Sequence, residues 1–343
     1  MFFRRTRNGL LIDRGTHLVS VARVSRLDDN PMVIEAAAEF LPGDRAGLEN
    51  WLFETFTGQK GLIPAVCGFN PPQAILRRNG NLNPRRLNED GYLAGLVNEH
   101  ARRDSLADWL LAALNPKDGT QLENAGAPRH GLLLGVPLSE VRRAQEDFVK
   151  LGVLPRRLEF STLPMLGGVA HCAGAQGVPD AIVVCGVEAT HTNIFILGKD
   201  GVHTPEPLQH GFETIVDATQ KEFGLATPDF GRIRMEALDD ELLERSRRLV
   251  RPIARQLKPA VDYYELQTGQ RVSSLFCPGL PAKLAWIGEA LAASDKLALF
   301  QPDCTAWCER VGLRVPTDGS LSLGPRWLGP LSQLARLTPP ATS

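Results

Sequence analysis

No uninterrupted apolar run in this 343-residue chain approaches the ~18–20 residues that a membrane-spanning helix needs. The chain also has almost no excess charge: 38 Lys and Arg stand against 39 Asp and Glu, a formal net charge of -1. Bulk electrostatics therefore favours neither nucleic acid nor an anionic membrane, and neither nucleic-acid binding nor direct membrane insertion is expected. The opening segment MFFRRTRNG is basic but puts no apolar segment before the first strand, so a secretory signal is not expected. The six cysteines are scattered and mostly sit in apolar stretches, which fits reduced thiols in the cytoplasm better than a disulfide framework. Cys304-x-x-x-Cys308 and His171-Cys172 lack a second ligand pair at a metal-binding spacing. There is no complete Walker-type or GxGxxG motif, and no Ser/His/Asp set follows from residue order.

What is present is an ordinary globular composition, 43% hydrophobic and 22% charged, long enough for two domains or three small ones. One pattern occurs twice. Gly9 to Val24, GLLIDRGTHLVSVARV, reads as strand, tight turn at Asp13-Arg14-Gly15, strand. Asp180 to Gly201, DAIVVCGVEATHTNIFILGKDG, reads the same way, with Lys199-Asp200-Gly201 closing it by hairpin chemistry. A unit that recurs half a chain later implies two related halves.

After the first hairpin, Val33 to Phe40 reads as a third strand and Arg45 to Thr57 as an amphipathic helix with Asp44 as its N-cap. Ile63 to Phe69 and Ala74 to Arg78 read as strands, Pro84 to Leu114 as a polar helical region, and Asn115 to Arg129 as a loop. Gly131 to Pro137 is a strand, followed by a helix capped by Ser139 and ended by Gly152. Leu154 to Phe160 is a further strand and Leu163 to Ala173 a helix of small residues. The expected division is a first half over 1–174 with an insertion at about 63–157, a second half over 175–337, and a disordered tail over 338–343. In the second half, helices are expected at Phe212 to Phe223, Leu238 to Tyr264 with a junction at Pro252, Leu284 to Ala293 and Trp327 to Leu337. Strands are expected at Ser274 to Cys277 and Leu297 to Phe300.

Three turns are candidates for ligand chemistry, each beside a plainer reading. In the first, Asp13, Gly15 and Thr16 could form a backbone anion nest with Asp13 as a Mg²⁺ ligand, or simply a hairpin turn. In the second, Gly186, Thr190 and Thr192 could approach a phosphate. There, however, Glu188 brings negative charge and Val184 stands where a carboxylate would be wanted. In the third, Cys277-Pro278-Gly279-Leu280-Pro281 keeps Gly279 but carries two prolines, which remove backbone donors.

Taken together, these segments resemble the type IV pilus assembly protein PilM family, of the actin-like ATPase superfamily and related to FtsA. The resemblance runs from Gly9 to about Asp303. It rests on Asp13-Arg14-Gly15-Thr16, on Gly131 to Phe160 (GLLLGVPLSEVRRAQEDFVKLGVLPRRLEF), on His210 to Leu225 (HGFETIVDATQKEFGL) and on Pro252 to Leu284 (PIARQLKPAVDYYELQTGQRVSSLFCPGLPAKL). It implies an α/β, actin-like fold, duplicated and ribonuclease H-like, with two halves around a cleft and an inserted α+β subdomain. It also implies a cytoplasmic protein, peripheral to the inner membrane, that binds the tail of a PilN-like partner and works with other pilus assembly components; self-association is open. The departures fall on nucleotide chemistry: Ser20 where a Lys is common, Val184 for an Asp, and prolines around Gly279. The expectation is a degenerate site with no catalytic residue and no required cofactor, ATP and Mg²⁺ binding weakly if at all. The alternative is an active ATP-binding or ATPase member of the superfamily, with a sugar or acetate kinase a distant third. The related type II secretion protein GspL is the nearest rival assignment, but it carries its own membrane span.

Overall fold

The computed structural model describes residues 8–25, 31–103, 105–123, 128–316 and 323–335. The expected disordered tail at 338–343 lies outside them. Two compact units form, one from residues 1–176 together with 302–343, the other from 177–301.

The first unit begins with β1 (Gly9–Arg14), β2 (Val19–Ser25) and β3 (Met32–Phe40), an antiparallel meander. α1 (Arg45–Thr55) follows, and its N-cap Asp44 accepts from the Gly47 N–H as its residue type predicts. β4 (Ile63–Phe69) then returns parallel to β1. Leu10 and Ile12 point to one side of the sheet, where α1 supplies Leu48 and Leu52, and both strand residues are fully buried. Each such burial contributes about 1.5–3 kcal/mol. β1 is apolar on both faces because it is a central strand covered on both sides.

A small subdomain is inserted next. β5 (Ile75–Asn79), α2 (Tyr92–Ala101), β6 (Trp109–Leu114) and β7 (Gly131–Pro137) build a three-stranded antiparallel sheet in the order β5-β7-β6. Its own core joins Val97 of α2 to Leu133 and Ala113. Two sequence expectations change here. Trp109 to Leu114 is a strand, with Ala113 opposite Leu133, where helical spacing had suggested a helix. A six-residue apolar run fits either period, and pairing with β7 decides it. The insertion is also shorter than 63–157: β4 belongs to the main sheet, and so does β8 (Val153–Phe160), which pairs parallel with it. Between them, α3 (Leu138–Lys150) returns to the main core through Ala144 and Phe148. It starts at Leu138 with Pro137 as N-cap, two residues before the expected Ser139 cap. α4 (Thr162–Ala175) completes this segment.

The second unit repeats the plan. β9 (Ala181–Val187), β10 (Thr192–Gly198) and β11 (Gly201–His203) form an antiparallel meander. α5 (Phe212–Glu222), α6 (Pro228–Glu236), α7 (Asp240–Leu249) and α8 (Arg251–Thr268) follow, the last two separated just before Pro252. β12 (Val272–Phe276) returns parallel to β9, and after α9 (Trp286–Ser294) the short β13 (Ala298–Leu299) lies parallel to β12. The order β11-β10-β9-β12-β13 matches β3-β2-β1-β4-β8 of the first unit strand for strand. The core gathers Val183, Cys185, Ile196, Ile215, Leu257 and Trp286, and the Trp286 Nε1 donates to the Met235 carbonyl at 3.1 Å.

From Pro302 the chain belongs to the first unit, whereas the second half was expected to run to 337. α10 (Cys304–Arg310) turns Cys304 and Cys308 inward, four residues apart on one buried face. β14 (Leu313–Arg314) joins the edge of the large sheet beside β3. α11 (Leu328–Ala335) packs against α4, β1 and β4 with Leu328, Leu331 and Leu334 fully buried. Arg326 pairs with Glu39 of β3 at 2.5 Å and ties this segment down.

Candidate functional site

The six-residue strand β1 delivers Asp13 to its carboxyl end, beside Gly68 of the parallel strand β4. Ser161, at the N-terminus of α4, donates from Oγ to Asp13 Oδ1 at 2.5 Å. Gln333 of α11 reaches the same place. A Cβ at Gly68 would stand 2.2 Å from Asp13 Oδ1 and 2.2 Å from Gln333 Nε2, so only glycine leaves both side chains room. Burial pushes the Asp13 carboxyl above its ordinary range, while the Ser161 and Gln333 side chains act in the opposite direction. The Gln333 amide nitrogen and oxygen, wholly buried, complete no well-directed hydrogen bond among the described residues. The Gln333 carbonyl accepts from the Arg157 guanidinium, and Arg157 pairs with Glu159 at 2.8 Å. Asp13 thus sits in an internal polar cluster supplied by three distant parts of the chain.

The turn after Asp13 is occupied with its own closure. The Gly15 N–H donates to the Leu18 carbonyl at 2.9 Å, so that donor of the expected anion nest is taken. Thr16 is exposed on the same turn. Arg14 leans away toward α3, 5.6 Å from the Phe148 ring centre and 3.8 Å from Asp147 Oδ2.

In the second unit, Gly186 is the penultimate residue of β9, opposite Asn193, and Thr190 is exposed in the turn. Thr192 is fully buried; its Oγ1 donates to the His210 carbonyl at 2.7 Å, and its backbone pairs with Leu208 in both directions. Its hydroxyl therefore closes the hairpin onto the chain leading to α5. Gly211 completes that contact: a Cβ there would lie 2.5 Å from the Glu188 carbonyl and from the His191 nitrogen. Val184, which stands where a nucleotide site would want a carboxylate, is fully buried. Gly279 has a positive φ of 74° beside Leu280, which is 5% exposed and packed in the core. Thr190 is thus the one candidate side chain of this unit turned to solvent.

Within the first unit, a cavity of about 350 Å³ opens where β4 leaves the main sheet for the insertion. Phe69, Pro71, Val19 and Phe148 give it apolar walls; Arg14, Arg143, Glu140 and Asp147 bring charge to it. Glu140 lies in the first turn of α3, and its Oε2 is buried with no hydrogen-bond partner among the described residues. Residue order alone gives Glu140 no more than a favourable place for an acid in the first turn of a helix. The buried roles of Ser161, Gln333 and Gly68 have no local sequence pattern to mark them. The signal available for Gln333 was no more than one long amide in the mostly apolar stretch LGPLSQLA, Leu328–Ala335. No group of three or more His, Cys, Asp or Glu side chains suited to a metal ion occurs among the described residues. Nor is any helix among them long and apolar enough to cross a membrane.

No family model and no curated protein matches the sequence. Solved structures do. The chain is similar to one from the PilM-PilN type IV pilus biogenesis complex, with a TM-score of 0.69 and 16% identity over 97% of this chain and 99% of that one. Similarity is weaker to the ethanolamine utilization protein EutJ from Carboxydothermus hydrogenoformans, with a TM-score of 0.48 and 12% identity over 97% and 90%. It is weaker again to the cytoplasmic domain of EpsL, an inner membrane component of the type II secretion system of Vibrio cholerae, with a TM-score of 0.37 and 10% identity over 96% and 93%. With the duplicated strand order and the inserted three-stranded sheet, the likeness shows that this chain has an actin-like fold, similar from end to end to a chain of the PilM-PilN complex.

Proposed function

We propose that this chain is a cytoplasmic scaffold of type IV pilus, or related secretion, assembly. In this reading it binds the extended cytoplasmic tail of a PilN-like inner-membrane protein and carries a degenerate nucleotide site. The cavity at the base of the insertion carries the proposal. It lies where β4 leaves the main sheet toward the insertion, and its apolar walls and unsatisfied acceptor suit a peptide whose side chains fill pockets. The end-to-end likeness to a chain of the PilM-PilN complex supports the choice of partner. Reduced nucleotide chemistry is supported by the internal engagement of Asp13 and Thr192 and by Val184.

Ordering a flexible tail costs a few kcal/mol, so micromolar affinity is expected. The test is fluorescence anisotropy with the labelled amino-terminal tail of a PilN-like protein from the same organism. Arg143 is exposed on α3 and lines the cavity, so Arg143→Trp should block the mouth without touching the core. Saturable binding lost in that variant supports the proposal. Binding that survives the block places the tail elsewhere, and no binding to the wild-type chain removes the scaffold reading.

A further inference from the structure

The cavity at the start of α3 holds an acceptor with no donor. Glu140 Oε2 is buried, and no hydrogen bond reaches it from the described residues. A desolvated carboxylate oxygen is costly unless a donor or a cation satisfies it. The cations at hand do not fill the role. Arg14 lies over the Phe148 ring and faces Asp147, and Arg143 is exposed one turn further along α3. The ionic groups lining the cavity are thus two arginines and two carboxylates, formally balanced, with one carboxylate left unpaired.

At about 350 Å³, the space falls within the range of ligand pockets and far exceeds a single water. Apart from Asn70, whose Oδ1 accepts from the Thr162 hydroxyl, its remaining wall, including Pro71 and Phe69, is apolar and suits the methylene stem of a long side chain. We infer that Glu140 is the anchor for a lysine or arginine side chain of the bound tail, with the stem of that side chain lying between Phe69, Pro71 and Phe148. The inference rests on the scaffold reading and adds the chemical requirement that reading leaves open. A charge-assisted hydrogen bond is about twice as strong as a neutral one, so the requirement is for a cation and not merely an N–H.

The experiment compares the labelled tail on wild-type protein, Glu140→Gln and Arg143→Trp, and repeats it with each basic residue of the tail replaced in turn by norleucine. Glu140→Gln should weaken binding about 10-fold or more, by the arithmetic of about 1.4 kcal/mol per decade. One norleucine replacement should produce the same loss and no further loss on Glu140→Gln, the signature of a direct pair. Thermal melts of both variants check that the fold is kept. If Glu140→Gln binds within two-fold of wild type while Arg143→Trp blocks, the tail uses the cavity and water satisfies Glu140. The inference then fails and the scaffold reading stands. If the tail binds none of the proteins, the scaffold reading fails, and N-acetyl-arginine amide becomes the probe, titrated into ¹⁵N-labelled wild type. Shifts at the Gly15 and Glu140 amides that vanish in Glu140→Gln would support the cation site; no shift at millimolar probe would overturn it.

Discussion

Ser161 Oγ and Asp13 Oδ1 are 2.5 Å apart, a hydrogen bond that joins the first strand of the chain to the start of α4 across 148 residues. With Gln333 on the same side, it makes Asp13 a member of the interior of the first unit as much as of a surface turn. The consequences can be measured.

Replacing Asp13 by Asn should stabilise the protein at neutral pH. Burial raises the folded-state pKa of Asp13 above the unfolded value near 3.8, so the folded state holds this proton more tightly. Stability then falls as pH rises from about 3.8 through the raised pKa, and the loss persists above it. Asn still accepts from Ser161, and its amide can donate toward the unsatisfied Gln333 oxygen. Asp13 keeps some solvent contact, which limits the gain to about 1 kcal/mol, or about 2–4 °C in Tm for a unit of this size. The advantage should shrink to nothing as pH falls below about 3.8. Melts of Asp13→Asn beside wild type between pH 4 and 8 check it; a variant less stable at pH 7 would show that the carboxylate is stabilising.

Gly68→Ala should be destabilising despite its small size. The new methyl would meet Asp13 and Gln333 together, and overpacking of this kind costs about 1–3 kcal/mol. Adding Gln333→Ala should recover part of that loss by clearing one of the two obstacles. Urea denaturation of the single and double variants tests the coupling, and independent, additive effects would contradict the shared contact.

The cysteines should be slow to react in the native state. Burial pushes the thiols of Cys67, Cys277, Cys304 and Cys308 up to about 12, and those of Cys172 and Cys185 upward as well. At pH 8 little thiolate exists to attack a disulfide reagent. Ellman's reagent should modify all six readily in denaturant and only slowly in the folded protein. Two or more thiols reacting within a minute under native conditions would contradict the packing described.

MgATP should bind weakly. The Asp13 carboxyl is held by an internal donor, the Gly15 N–H by Leu18, and the Thr192 hydroxyl by His210. No saturable binding is expected below ~100 μM, about 5.5 kcal/mol. Calorimetric titration at neutral pH decides the point, and a low-micromolar constant would favour the ATP-binding alternative.

The paired hairpins could be read in the sequence because their information is local. Leu10 to Ile12 and Ile182 to Val184 are apolar runs bounded by turn residues, and a strand–turn–strand unit needs nothing beyond its own residues to be recognised. α1, with Asp44 at its cap, and the stop at Gly152 were legible for the same reason. Local pattern was insufficient at Trp109 to Leu114, where six apolar residues suit either a helix or a strand until β7 is beside them. It was also insufficient at Ile63 to Phe69 and Val153 to Phe160. Both look like parts of an insertion until parallel pairing, of β4 with β1 and of β8 with β4, places them in the main sheet. The candidate site divides along the same line. Asp13, Gly15 and Gly186 announce themselves as turn chemistry. Ser161 and Gln333 do not, because what they do is satisfy and enclose a group 148 and 320 positions away. Only the return of residues 302–335 to the first unit brings α11 against β1 and β4. Burial and desolvation are properties of what surrounds a residue, and those surroundings exist only once the chain has closed on itself.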